Sequence, residues 1–134
     1  MPALTVSFEQ PERLSIHVGS HVLHTDEPGE LGGHGEGPRV GELVAAAAAA
    51  RAATEARAWL RREALPELGL RLACNYRLNV VEETRLAALD VSIQLPRPLG
   101  LEAEARLAAT VERCLEEGPA EISVTVCTPT AVPE

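Results

Sequence analysis

Three cysteines, four histidines and one arginine embedded in alanine are the residues whose types and spacing could do chemistry. Cys74, Cys114 and Cys127 make no CxxC pair, and an odd count fits free thiols in a reducing compartment. Peroxide chemistry needs a thiolate, positive charge beside it and a second thiol within bonding reach. Cys114 falls on an apolar helical stripe and Cys74 on an apolar strand face, where cysteine also serves as a small hydrophobe. His17, His21, His24 and His34 raise a second chemistry, metal binding, which needs three convergent ligands. Alternation puts His17 and His24 on one hairpin face and leaves His34 in a loop, so metal binding is an alternative reading only. The third feature is "AAAAAARAAT", in which Arg51 interrupts the alanines. A guanidinium is always charged. Here it is a solvated residue, an ion-pair partner of Glu55 one turn on, or a bidentate ligand for a carboxylate or phosphate.

Composition bounds what these groups can serve. The chain has 134 residues, enough for one domain with a real core, and 46% of them are hydrophobic. Phe8, Trp59 and Tyr76 are the only aromatics, so the core must be built from Leu, Val, Ile and Ala. All twelve basic residues are Arg, and the net charge of −8 argues against nucleic acid as a partner. No long uncharged apolar window predicts a membrane span, and "MPALTVSFEQ" has no signal-peptide pattern, so the cytoplasm is the expected location. No cofactor is expected.

The elements that must position the candidate groups are legible as periodicities. Residues 1–26 read as strands and a hairpin turning at Gly19-Ser20, with Val18 opposite His21 and Ile16 opposite Leu23. These four share one face with Leu14, while His17, Val22 and His24 share the other. Residues 27–38, "EPGELGGHGEGP", form a glycine-rich loop; no GK[ST] comes after it, and Glu30 and Glu36 oppose a phosphate there. Asp26 and Glu27, just before Pro28, read as structural acids. A central helix covers 39–65, with Glu42 near its N-terminus and Pro66 as its stop. Residues 69–95 read as an antiparallel strand pair connected at Glu82-Glu83-Thr84. Leu72, Cys74, Tyr76, Leu78 and Val80 share one face of the first strand, and Leu89, Val91, Ile93 and Leu95 point inward from the second. A second helix, 101–117, carries the stripe Leu107, Val111, Cys114 and Leu115, and a last strand, 120–127, turns Ile122, Val124 and Val126 to the core. The expected fold is a single α+β domain of antiparallel sheet with segregated helices. The central helix is small and apolar over most of its surface, which predicts burial on several sides and hence a homodimer.

The run "HTDEPGELGGHGEGPRVGELVAAAAAARAAT" resembles a segment of the OsmC/Ohr family, and "LDVSIQLPRPLGLEAEARLAATVERC" resembles that family's later strand, helix and second cysteine. The resemblance implies an intertwined homodimer around long central helices, and thiol-dependent reduction of organic hydroperoxides by two cysteines. It places the second, resolving cysteine at Cys114. In register from Val40, with Arg57, Trp59 and Pro66 on similar family positions, it places the first, attacking cysteine at Arg51. The family glutamate falls on Gly41, beside Glu42, and the family arginine corresponds to Arg13. An arginine cannot act as the nucleophile, and Cys114 alone cannot complete a two-cysteine cycle. The resemblance therefore implies a member that has lost thiol peroxidase activity and keeps a structural or small-anion-binding role at the old pocket. Arg51, Glu42, Glu55, Cys114 and Arg13 are its candidate residues, and a small anion or hydrophobic small molecule its candidate ligand. The alternatives are hydroperoxide detoxification by residual Cys114, and metal binding through His17, His24 and His34.

Overall fold

Alternation of apolar and polar residues builds strands wherever it persists, and in the computed structural model it does so at both ends of the chain. Residues 2–129 are described, and they fall into two units, Met1–Leu43 and Val44–Glu134.

The first unit is an antiparallel sheet of β1 (Leu4–Gln10), β2 (Arg13–Val18) and β3 (His21–Thr25), in that order. Gly19 takes φ +60° while Ser20 stays at negative φ, as a type II′ turn requires. The turn fixes the register: Val18 pairs with His21, Ile16 with Leu23 and His17 with Val22. Adding β1 sets Leu4, Val6 and Phe8 opposite Val18, Ile16 and Leu14, so one face of the sheet is almost wholly apolar. Within a single chain that face is largely open, with Phe8 75% exposed.

The loop after β3 is wound around Asp26. Its Oδ1 accepts the Glu27 N–H, its Oδ2 accepts those of His34 and Glu36, and its own N–H donates to the Pro38 carbonyl. Gly33 passes so close that a Cβ there would run into the Glu27 carbonyl and the Asp26 carboxylate. The N–H groups that could have cradled a phosphate therefore already hold an internal anion.

Alanine propensity makes α1 (Val40–Arg62), the longest element. It stops short of Leu65 because Ala64 adopts φ +54°, with Ala64 N–H bonded to Arg61 O and Leu65 N–H to Leu60 O. This is a Schellman closure with alanine where glycine is usual. Only one side of α1 is buried in the second unit's core, through Ala45, Ala52, Ala56, Trp59 and Leu60; Ala46, Ala47 and Ala50 are exposed.

A second sheet joins β4 (Arg71–Leu78), β5 (Leu86–Gln94) and β6 (Glu121–Cys127) in that order, with α2 (Leu101–Cys114) between β5 and β6. β4 pairs antiparallel with β5, as expected. β6 pairs parallel with β5, a departure from an all-antiparallel sheet. The cause is the connection: α2 carries the chain back along the sheet, so the next strand re-enters in the direction of β5. Val80 also departs from expectation. β4 ends at Leu78 because the Asn79 side-chain carbonyl accepts the N–H groups of Val81 and Glu82, turning the chain and leaving Val80 and Val81 exposed. α2 gives way after Cys114 to tight turns, Leu115 N–H to Glu112 O and Gly118 N–H to Leu115 O. Leu89, Val91 and Ile93 meet Leu107, Val111 and the α1 stripe in a core whose largest side chain is Trp59. No helix among the described residues is long and apolar enough to cross a membrane.

Candidate functional site

The second unit brings three of the predicted site residues together. Ala48, Arg51 and Glu55 recur along one side of α1 at helical spacing, and Cys114 stands on the core-facing side of α2. Arg51 and Glu55 both act electrostatically on the Cys114 thiol. Burial pushes that thiol up from its ordinary value, the Glu55 carboxylate adds to the rise, and Arg51 opposes it without prevailing. Glu55 does not close an ion pair on Arg51; its carboxylate lies 3.6 Å from Arg62 instead. Arg51 is exposed and has no ion pair among the described residues. Cys114 is thus a half-buried thiol held above its ordinary value, with the Arg51 charge acting on it through space.

One turn along α1 from Arg51, and four residues beyond Cys114 in the chain, an apolar groove of about 390 Å³ opens. Val44 and Ala48 of α1, Leu86 of β5 and Pro119 supply its apolar lining, with Arg85 and Glu82, 3.6 Å apart, at its polar side. The groove is large enough for a small apolar molecule.

Neither of the other two cysteines forms a disulfide with Cys114. All three thiols are free. Cys74 lies on the inward face of β4 opposite Val91, where burial raises its thiol, and Cys127 is exposed on the opposite face of the sheet, 3.2 Å from the Ser92 hydroxyl.

The remaining candidates belong to the first unit. Glu42 accepts the Arg39 N–H at 2.9 Å, half of a capping box at the start of α1. Arg39 is tied through its side chain to Glu27, also at 2.9 Å. Arg13 pairs with Glu9 at 3.4 Å and with Glu36. His24 lies across β2–β3 from Ser15, its Nδ1 3.2 Å from the Ser15 hydroxyl, which donates to Glu9 at 2.5 Å. That hydrogen bond leads the pull that holds the Glu9 carboxyl below its usual range, aided by His24, Arg13 and His17 and opposed by burial. His17 shares the face of His24, as expected, while His34 meets Asp26 through its backbone. Among the described residues no three His, Cys, Asp or Glu side chains converge to hold a metal ion.

The sequence did not single out Glu9 and Ser15 as the anchors of His24 and Arg13. The strand register would have placed Ser15 opposite His24; nothing local marks Glu9, because a register shift between Phe8 and Gln10 sets where it lies.

Element order, two three-stranded sheets and two helices define an α+β fold of the OsmC/Ohr class. The chain is similar over nearly its full length to solved structures of that class. One is a Psychrobacter arcticus 273-4 protein assigned to the osmotic stress induced and detoxification response, with TM-score 0.79, 16% identity and 96% of both chains covered. Another is an organic hydroperoxide resistance protein from Elizabethkingia anophelis with crystallant-derived thiocyanate bound, with TM-score 0.73, 14% identity and 96% of both chains covered. A third is the organic hydroperoxide resistance protein OhrB of Bacillus subtilis, with TM-score 0.60, 11% identity, 96% of this chain and 98% of that one. No protein-family model matches the chain, and no curated protein matches it. At these identities the likeness is one of fold.

Proposed function

We propose that this chain is a divergent OsmC/Ohr protein that has lost the thiol peroxidase cycle and binds a small anion at the former redox pocket. One observation carries the reading: Arg51, where the family register expects the attacking cysteine, acts electrostatically on Cys114, where it expects the resolving one. A thiol raised above its ordinary value is mostly protonated at neutral pH and a slow nucleophile. An exposed guanidinium without an ion-pair partner is a ready ligand for a carboxylate or phosphate. The Elizabethkingia neighbour holds thiocyanate, so in that protein the same fold accommodates a small anion. Free cysteines fit a reducing, cytoplasmic setting. The exposed alanines of α1 and the open apolar face of β1–β3 support a homodimer that would cover them.

The test is twofold. Stoichiometric organic hydroperoxide followed by intact-mass spectrometry should leave Cys114 unmodified and the hydroperoxide unconsumed. Anion titration should show saturable binding that R51Q abolishes. Peroxide turnover with a sulfenic or disulfide form of Cys114 would instead restore the detoxification reading.

A further inference from the structure

A second, smaller groove of about 240 Å³ lies in the second unit between the C-terminal half of α1 and the segment leading into β4. Arg57 and Arg71 both line it, and neither has an ion pair or side-chain hydrogen bond within the described residues. The one acid in the groove, Glu67, is already committed. Arg61 donates from Nε and Nη2 to its two carboxylate oxygens, each at 2.6 Å. These bonds hold the Glu67 carboxyl below its usual range, so it stays ionised and bound to Arg61. Arg57 acts on Glu67 only through space, and the single carboxylate, bonded to Arg61, leaves the groove with more guanidinium than acid on a chain of net charge −8. Ala53, Leu70 and Leu72 supply the apolar part of the lining, the two leucines packed against the core.

We propose that this groove binds a small organic monocarboxylate, with its carboxylate between Arg57 and Arg71 and a short alkyl chain against Ala53, Leu70 and Leu72. Two guanidinium groups bordering one apolar hollow match a single anionic head with a nonpolar tail. A volume of about 240 Å³, below the usual range of drug-sized ligand pockets, selects a chain of a few carbons over a large lipid. The lining includes neither Arg51 nor Cys114, so the site stands independently of the anion site proposed at Arg51.

Calorimetric titration of the full chain with hexanoate tests this, with acetate, 1-hexanol and inorganic phosphate as comparison ligands. Hexanoate should bind saturably, and acetate and 1-hexanol about fivefold more weakly or worse, each lacking one half of the recognition. R57Q and R71Q, both at exposed positions, should each weaken hexanoate about fivefold or more, while R97Q should not. Higher salt should weaken binding. Absence of saturable hexanoate binding, binding indifferent to R57Q and R71Q, or phosphate binding as tightly as hexanoate would overturn the proposal. Loss of binding in R51Q with R57Q and R71Q unaffected would also overturn it, by placing the carboxylate at the other pocket.

Discussion

Arg51 on α1 lowers, and Glu55 one turn further along the same helix raises, the proton affinity of one thiol, Cys114 on α2. Burial sides with Glu55, so the thiol stays protonated although a cation is at hand. In a working thiol peroxidase the balance must fall the other way. The two charges therefore predict opposite effects on reactivity. E55Q should speed alkylation of Cys114 by iodoacetamide at neutral pH about twofold, and R51Q should slow it about twofold, the scale of partly exposed charge interactions. Rates read by mass spectrometry would contradict this if both substitutions moved them the same way.

Asp26 predicts a pH dependence of stability. Burial works to raise its carboxyl, but the N–H groups of Glu36, His34 and Glu27 outweigh it and hold the carboxyl below the usual aspartate range. A folded-state pKa depressed below the unfolded one stabilises the fold above the unfolded value, and that contribution is lost as pH falls through the folded value. D26N should lower the thermal midpoint at neutral pH, since its amide would face N–H donors, and should flatten the acid limb of the stability profile. An unchanged midpoint for D26N would sink this account of the loop.

The end of α1 predicts a gain. Ala64 carries its Cβ at φ +54° in a closure that glycine satisfies without strain. Relief of that strain exceeds the extra chain entropy of glycine, so A64G should stabilise the protein by about 0.5–1 kcal/mol in denaturant unfolding. L107A, at a fully buried core position, should cost about 2–5 kcal/mol.

Assembly predicts a change of mass. Ala50 lies on the exposed side of α1 among small residues that allow close helix approach. Sedimentation should report a dimer for the native chain, and A50E should shift it toward monomer by placing charge in that approach. A monomeric native chain would remove the dimer from the account.

The fold was largely legible in the sequence because its signals are local. The Gly19-Ser20 turn set the register of β2 and β3, and period-two alternation located the inward faces of β4, β5 and β6. What escaped depends on contacts that local pattern does not encode. The parallel pairing of β6 comes from the path of α2 across the sheet, and the exposure of Val80 comes from an Asn79 side chain capturing backbone donors. At the candidate site, the resemblance pointed to Arg51 and Cys114 together. Spacing alone suggested an Arg51–Glu55 ion pair, whereas the Glu55 carboxylate approaches Arg62. Glu42, expected near the start of α1, accepts the Arg39 N–H there, because an acid three residues into a helix can reach back to the N–H at its start.

The central claim is that Arg51 occupies the place of the attacking thiol opposite Cys114, and R51C tests it most directly. Native protein and R51C would be treated with one equivalent of an organic hydroperoxide and analysed by peptide mass spectrometry. Oxidation of the introduced thiol to a sulfenic acid releases the alcohol, and attack by Cys114 then forms a disulfide and releases water. The account predicts hydroperoxide consumption and a disulfide to Cys114 in R51C, with neither in the native chain. Consumption by the native chain, or an R51C protein whose introduced thiol never pairs with Cys114, would contradict it.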